Sequence, residues 1–231
     1  MPQQIIFFDI DGTLLASGGA GQKAMEGALI EEFRVQFPFE GVLTAGRTDF
    51  GIVTEIFDRY GIEQSDEQRS RFRQAYLDRL PDCLQSLSGL ILPGVPALLA
   101  ELAQRDNLVL ALLTGNYSEA AWIKLKHFEL DHYFDFGGFG DLHADRDLVA
   151  GSAKEAAEIA LKRQIPGDQC CVIGDTPADI TCARSIGASV VAVATGMYDF
   201  DELAAHNPDH MFTDFSNVSE IADRIATFAT S

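Results

Sequence analysis

One stretch decides the fold: Ile5-Ile6-Phe7-Phe8-Asp9-Ile10-Asp11-Gly12-Thr13, an apolar run that stops at two acids and a glycine-containing turn. Its first four residues are continuously apolar rather than alternating, which predicts a strand buried on both faces. In an open parallel sheet, ligands bind outside the carboxyl ends of the strands. We therefore expect Asp9 and Asp11 at a ligand-binding edge.

Similar apolar runs recur along the chain, and each is followed by a polar or glycine-containing break. They span residues 108–113, 170–173 and 190–194, with 211–212 as a weaker strand candidate. Helical patterns at 95–105, 119–128, 149–163 and 178–186 lie between them. Strands and helices in alternation predict an α/β fold with a doubly wound parallel sheet.

Residues 16–89 interrupt this alternation, because nearly all of them are predicted to be helical. The candidates are 22–37, 49–60 and 66–87, and Pro81 should kink or split the last of these. Glycine-rich connections flank the segment. We expect a core of residues 1–15 and 90–231 with an inserted α-helical cap of residues 16–89.

Helix ends carry their own signals. Asn116 with Glu119, and Ser65 with Gln68, have the spacing of capping boxes. Pro177 suits a first helical turn, and Gly187 suits the end of the same helix.

The chain has 35 acids against 17 bases in 231 residues, a formal charge of −18. This balance argues against nucleic acid and anionic membranes as partners, because those surfaces require clustered Lys and Arg. An apolar run long enough to span a bilayer is absent from the sequence, and the first residues lack the basic start of a secretory signal. We expect a cytoplasmic protein with four reduced cysteines.

Three distant segments should meet at one edge of the sheet, because Asp9, Thr114 and Asp175 each stand where an apolar run ends. Carboxylate and carbonyl oxygens suit Mg²⁺. Glycine-containing turns and helix starts offer backbone amides to a phosphoryl group. The residues thus predict a site for Mg²⁺ and a phosphate ester.

Three motifs, DIDGT at 9–13, TGN at 114–116 and GDTPAD at 174–179, resemble those of the haloacid dehalogenase-like phosphohydrolases. The helical segment is similar to the cap of the phosphoglycolate phosphatase-like branch. This resemblance implies a Rossmann-like core and an aspartyl phosphate formed on Asp9, with Asp11 as general acid and then base. It also implies that Thr114, Gly115 and Asn116 bind the phosphoryl group.

The same resemblance implies that Mg²⁺ is bound by the carboxylates of Asp9 and Asp175 and by the main-chain carbonyl of Asp11. Asp179 would support a metal-bound water or the basic residue.

The sequence departs from the family's commonest pattern at that basic residue, because it has no Lys-Pro. Arg146, in a predicted loop after a strand-like segment at 133–136, is favoured over Lys154, in a predicted helix, since guanidinium engages oxyanions well. Two interpretations fit Arg47 in the cap: contact with a substrate anion, or a solvated arginine at a helix start.

The favoured function is hydrolysis of a small phosphomonoester, phosphoglycolate or a similar compound. A dehalogenase is disfavoured because Asp11 would have no role in it. A sugar-phosphate mutase and a phospho-accepting or phosphate-sensing binding module are the alternatives. The sequence is compatible with a monomer or a homodimer.

Overall fold

The computed structural model describes residues 3–227 and places a six-stranded parallel sheet at the centre of the molecule. The strands are β1 Gln4–Phe8, β2 Leu15–Ala16, β3 Leu90–Ile91, β4 Leu108–Leu113, β5 Gly137–Gly138, β6 Cys170–Gly174, β7 Ser189–Val193 and β8 His210–Phe212. The helices are α1 Ala20–Phe33, α2 Asp49–Tyr60, α3 Asp66–Ser86, α4 Val95–Ala103, α5 Ser118–His127, α6 Arg146–Leu161, α7 Pro177–Ser185, α8 Phe200–Ala204 and α9 Val218–Thr227. Short 3₁₀ turns occupy Asp131–Tyr133 and Gly167–Gln169.

The sheet has the order β5-β4-β1-β6-β7-β8, and its strand pairs are parallel. Helices cover both faces, so the predicted doubly wound α/β fold is confirmed. Because β1 lies between β4 and β6, the ends of these three strands lie side by side. This order brings Asp9, Thr114 and Asp175 to the same edge.

Alternate residues of each central strand enter different cores. Ile6 and Phe8 pack with α4, α5 and α9, whereas Ile5 and Phe7 pack with α6, α7 and α8. The adjacent Cys170 and Cys171 also divide between the two cores, as their strand position predicts. The continuous apolar runs thus belong to strands covered on both sides.

The three helices α1, α2 and α3 lie between β2 and β3 and pack around a third core. Leu15 of β2 pairs antiparallel with Ile91 of β3 in a separate two-stranded sheet, so the two ends of the helical segment lie side by side. Tyr117 and Ala120, at the start of α5, join the same core. The helical segment therefore packs against the edge where the strand ends meet.

Two local predictions are wrong, and a third is wrong in part. Pro81 does not split α3, which continues to Ser86. The strand-like segment at 133–136 instead holds part of a 3₁₀ turn, and the strand is β5. α5 begins at Ser118 after Tyr117, without a side-chain cap from Asn116.

Other helix-end predictions are confirmed in whole or in part. Pro177 is the first residue of α7. Ser65 caps α3 through a hydrogen bond from the Gln68 amide, which is one half of the predicted capping box. Within residues 3–227, no helix is both long and apolar enough to cross a bilayer.

Candidate active site

The loop after β1 carries Asp9 and turns tightly at Gly12. The Asp9 amide donates to the Ile173 carbonyl at 3.0 Å, which holds Asp9 in line with the sheet. Gly12 has a φ of 88°, and a Cβ there would lie 2.3 Å from Oδ2 of Asp175. The Thr13 hydroxyl donates to Oδ1 of Asp175 at 2.9 Å. The loop therefore fits against the end of β6 only with glycine at position 12.

The turn after β6 buries a second and a third carboxylate. Asp175 follows the strand, and Thr176 caps α7 in a capping box with Asp179. The hydroxyl and the amide of Thr176 both donate to Oδ2 of Asp179, at 2.7 and 3.0 Å. Asp179 is fully buried and Asp175 is 3% exposed. The helix cap thus fixes Asp179 beneath the sheet edge.

Arg146 supplies the positive charge of this cluster. Its Nη2 atom lies 3.0 Å from Oδ1 of Asp9 and 2.5 Å from Oδ1 of Asp179. The residue begins α6 rather than lying in the preceding loop, because Asp145 accepts a hydrogen bond from the Asp147 amide and caps the helix. The guanidinium is therefore buried between two carboxylates.

Asp9, Asp175 and Asp179 each place a carboxylate oxygen within 4.8 Å of the others. Burial raises the pKa of Asp9 to about 6, with Asp179 and Asp11 adding to the rise and Arg146 opposing it. Burial also raises the pKa of Asp175 well above its usual value, and Asp9 and Asp179 reinforce that shift. Three carboxylates thus share one guanidinium.

This surplus of buried negative charge fits a hard divalent cation, because carboxylate oxygens are the ligands that Mg²⁺ prefers. The backbone at Gly196 also lies very close to the Asp175 carboxylate, so no side chain fits there. A Cβ at Gly196 would lie 1.7 Å from Oδ2 of Asp175. The residues present therefore fit a magnesium ion at the ends of β1 and β6.

Asp11 belongs to a second cluster, on the side of the helical segment. Its Oδ1 accepts from the Ser17 hydroxyl at 3.1 Å, and its Oδ2 accepts from Asn116 Nδ2 at 2.9 Å and from Lys124 Nζ at 2.5 Å. Burial opposes ionisation of Asp11, but Lys124 and these hydrogen bonds outweigh it, and the pKa falls below its usual value. Asp11 is thus held as a carboxylate.

Thr114 and Asn116 form the floor between the two clusters. The Thr114 amide bonds to the Gly138 carbonyl at 3.1 Å, and its hydroxyl oxygen accepts from Asn116 Nδ2 at 2.8 Å. Asn116 therefore uses its side chain to join Thr114 to Asp11, not to cap α5. The TGN motif connects the ends of β1 and β4.

Lys124 is a site residue that the sequence reasoning missed. It is 3% exposed although it stands among the apolar residues of α5. The sequence does indicate that Lys124 is buried, because Ala120 and Lys124 are four residues apart and so share one face of the helix. A lysine on the buried face of a helix requires an acidic or polar partner.

The start of α2 is bonded directly to the core. The Thr48 hydroxyl donates to the His143 carbonyl at 2.6 Å, and the Asp49 amide donates to the Gly115 carbonyl at 2.7 Å. Oδ2 of Asp49 accepts from the Tyr117 amide at 2.7 Å. Burial raises the pKa of Asp49 to about 7, although Lys124 opposes the shift. These contacts hold the helical segment against the sheet edge.

Two predicted candidates lie apart from the carboxylate cluster. Arg47 borders the cavity, but its guanidinium donates to Glu55 and to the carbonyls of Leu43 and Gly51 within the helical segment. Lys154 lies near Cys170, where its charge lowers the pKa of the thiol against the effect of burial. Cys170 begins β6, so Lys154 is at the opposite end of that strand from Asp175.

A cavity of about 310 Å³ lies between the sheet edge and the helical segment. The core side of its lining includes Asp9, Asp11, Thr114, Asn116, Lys124, Arg146 and Asp175, and the other side includes Gly21, Met25, Asp49 and Tyr76. Both clusters therefore open into one space of a size that suits a small molecule.

Comparisons with known proteins agree with this geometry. A family model described as haloacid dehalogenase-like hydrolase matches residues 3–187. A phosphoglycolate phosphatase from Rhodospirillum rubrum is 28% identical over 227 residues, which cover 95% of this chain and 90% of that protein.

Two solved structures resemble this chain over nearly its whole length. A hydrolase from Pseudomonas syringae has a TM-score of 0.69 and 25% identity, covering 96% of this chain and 99% of its own. CbbY from Rhodobacter sphaeroides, solved in complex with phosphate, has a TM-score of 0.68 and 17% identity, covering 94% of this chain and 96% of its own. At that identity the second likeness shows a shared fold alone.

Proposed function

The chain belongs to the haloacid dehalogenase-like hydrolase family, and from this premise we propose that it is a Mg²⁺-dependent phosphatase acting on small phosphomonoesters. The observation that carries the proposal is the ion pair of Asp9 with the buried Arg146, beside Asp175 and Asp179, with Asp11 two residues further on. A carboxylate nucleophile, a second carboxylate for proton transfer and a cationic group are what phosphoryl transfer through a covalent intermediate requires.

In the first step, an oxygen of Asp9 attacks phosphorus and the bond from phosphorus to the leaving oxygen breaks. Asp11, a carboxylate in the substrate-free protein, takes up a proton from solvent before this step and gives it to the leaving oxygen, so an alcohol departs and an aspartyl phosphate remains. In the second step, Asp11 takes a proton from water as the water attacks phosphorus. Inorganic phosphate leaves, and the Asp9 carboxylate is restored.

The remaining residues position and stabilise the phosphoryl group. Arg146 holds Asp9 for attack and lies next to the oxygens that carry charge in the transition state. Thr114 and Gly115 offer a hydroxyl and an amide at the floor of the cavity, and Asn116, whose side-chain NH2 group donates to Asp11 and Thr114, holds these residues in place for the phosphoryl group. Arg47 also borders the cavity, where a substrate anion would compete with Glu55 for its guanidinium.

The metal-binding residues of this proposal are the carboxylates of Asp9 and Asp175 and the main-chain carbonyl of Asp11. A magnesium ion held there would offset the repulsion between the phosphate dianion and the attacking carboxylate. Asp179, bonded to Arg146 and to Thr176, supports the cluster from below.

The substrate we propose is phosphoglycolate or a phosphomonoester of similar size. The Rhodospirillum rubrum relative is named as a phosphoglycolate phosphatase, and the cavity of about 310 Å³ has room for a small ester. We further propose that residues 16–89 act as a cap over a core of 1–15 and 90–231, because α1, α2 and α3 form one wall of that cavity.

We also propose that the protein works in a reducing compartment such as the cytoplasm. None of its four cysteines is paired in a disulfide, and three of them are buried. The charge of −18 supports a small phosphate ester, rather than nucleic acid, as the partner.

The decisive experiment measures phosphate release from p-nitrophenyl phosphate and from 2-phosphoglycolate, with Mg²⁺ and with a chelator. We expect turnover only with Mg²⁺, and a loss of roughly 10³-fold or more in Asp9→Asn, because the nucleophile is removed. Asp82→Asn, an exposed acid on α3, is the matched control and should keep full activity. Normal turnover by Asp9→Asn would refute the nucleophile assignment.

Product analysis in the same experiment separates the alternatives. A mutase would return an isomerised sugar phosphate with little free phosphate. A phospho-accepting module would stop after one equivalent of phosphorylation. Repeated release of inorganic phosphate without isomerisation supports the phosphatase.

A further inference from the structure

Lys124 lies outside the three motifs, yet its ammonium group is directed at Asp11. Nζ lies 2.5 Å from Oδ2 of Asp11 and 2.6 Å from Oδ1 of Asn116. Asn116 in turn donates to the same Oδ2 atom at 2.9 Å. The three side chains therefore form a closed triangle of hydrogen bonds, in which two of the ammonium's three donors are used.

The two members of the ion pair differ in exposure. The Lys124 side chain is 4% exposed, whereas the Asp11 side chain is 38% exposed, and both residues border the cavity. Lys124 thus presents little of its surface to the cavity, and its ammonium group is bonded to Asp11 and Asn116. The contact through which it would act on the reaction is therefore its bond to Asp11.

The surroundings of Lys124 are shaped to hold it in one place. A Cβ on Gly21 would lie 3.2 Å from Nζ, so α1 approaches the ammonium closely and leaves it little room to move toward that helix. A buried charge with one ionised partner is costly to unpair. The position of Nζ, and with it that of the Asp11 carboxylate, is therefore strongly restricted.

We propose that Lys124 is a positioning residue for the acid and base Asp11: it fixes the Asp11 carboxylate beside the leaving oxygen. This inference rests on the proposed phosphatase function. Lys124 keeps its own protons throughout, and the proton that reaches the leaving oxygen is one that Asp11 has first taken up from solvent. Without Lys124, Asp11 retains its chemistry but loses its orientation toward that oxygen.

The test compares two esters that differ in their need for an acid. An alkyl phosphate such as 2-phosphoglycolate releases a poor leaving group that must be protonated, whereas p-nitrophenyl phosphate releases a stable phenolate. The parameter kcat/KM covers the steps up to formation of the phosphoenzyme, so it reports the acid step and not the later attack of water.

For Lys124→Met we expect kcat/KM to fall on the order of 10²-fold with the alkyl ester, the lower range of general acid catalysis. With the aryl ester it should fall by less than about threefold. Asp11→Asn should show the same pattern. Adding Lys124→Met to Asp11→Asn should cause no further loss, because the lysine acts through Asp11. Lys126→Met, an exposed lysine on the same helix, is the control.

Equal losses with both esters in a folded Lys124→Met protein would overturn the proposal, and so would additive losses in the double variant. Lys124→Gln, which keeps a hydrogen-bond donor, provides a second variant if the methionine protein does not fold. If the unmodified protein hydrolyses neither ester, the proposed function fails before the role of Lys124 is reached.

Discussion

Arg146 is the residue on which the balance of charge at the sheet edge depends. It is the basic group in contact with Asp9 and Asp179, and Lys154, on the same helix, points to the other end of β6. We expect Arg146→Ala to lower kcat/KM by roughly 10²–10³-fold, the range for loss of an oxyanion-type donor. Lys154→Ala should stay within about twofold, because removing a solvated helix lysine leaves the site unchanged.

The two variants are compared by kcat/KM with one aryl ester and by thermal unfolding. Arg146→Ala should also unfold at a lower temperature, because breaking a buried ion pair leaves charge uncompensated. A larger loss of activity in Lys154→Ala would reverse the assignment of the basic residue.

Some residues of the site could be predicted from the sequence and others could not. Asp9, Thr114 and Asp175 could be placed because each ends an apolar run, and parallel strands bring such ends together. Lys124 could not be placed in this way, because its partner Asp11 is 113 residues away along the chain. Asn116 was taken for a helix cap for the same reason, since its bonds go to neighbours in space.

Among the elements, those with a strong periodic pattern were predicted well and those fixed by packing were not. The predicted helix at 49–60 coincides with α2. β5 was missed because it consists of two glycines and has no apolar pattern. A Cβ on Gly137 would lie 2.6 Å from Cβ of Leu112, so close approach to β4 selects these residues.

The docking of α2 on the core depends on a similar close approach. A Cβ on Gly140 would lie 2.1 Å from the Gly115 carbonyl oxygen, which is itself bonded to the Asp49 amide. We expect Gly140→Ala to destabilise the protein by about 1–3 kcal/mol, the usual cost of overpacking. Activity should fall with it, because the displaced Gly115 adjoins Thr114.

Gly151→Ala is the matched control for that substitution. Gly151 lies within α6 and a Cβ there meets nothing within 4 Å, so alanine should stabilise the helix by roughly 0.5–1 kcal/mol. Urea unfolding of both variants measures the difference. Equal stability of the two proteins would contradict the close approach described at Gly140.

The charge cluster affects the stability of the whole molecule, and it does so in a pH-dependent way. The pKa of Asp9 rises from 3.8 to about 6 in the folded protein, so the folded state binds more protons than the unfolded state between those values. Without metal, its contribution to the free energy of unfolding should therefore fall as pH rises from about 4 to about 6. Asp49, raised to about 7, acts in the same direction.

Thermal unfolding between pH 5 and pH 8, in chelator and in Mg²⁺, tests this expectation. Mg²⁺ binds the deprotonated carboxylates, so the increase in Tm that it gives should be larger at pH 7.5 than at pH 5. In Asp9→Asn the increase should be smaller, and the metal-free protein should lose less stability with rising pH. An increase in Tm that does not depend on pH would contradict a site built from these acids.

The pairing of Leu15 with Ile91 also has a consequence for how the chain folds. Central strand β1 must find β4 and β6, whose residues are more than a hundred positions away, and such non-local contacts slow folding. Helices α1 and α3 lie close together in sequence and pack on each other. Once they and the β2–β3 pair have formed, the loop that separates β1 from β4 is effectively shortened, and the entropy cost of closing it is reduced.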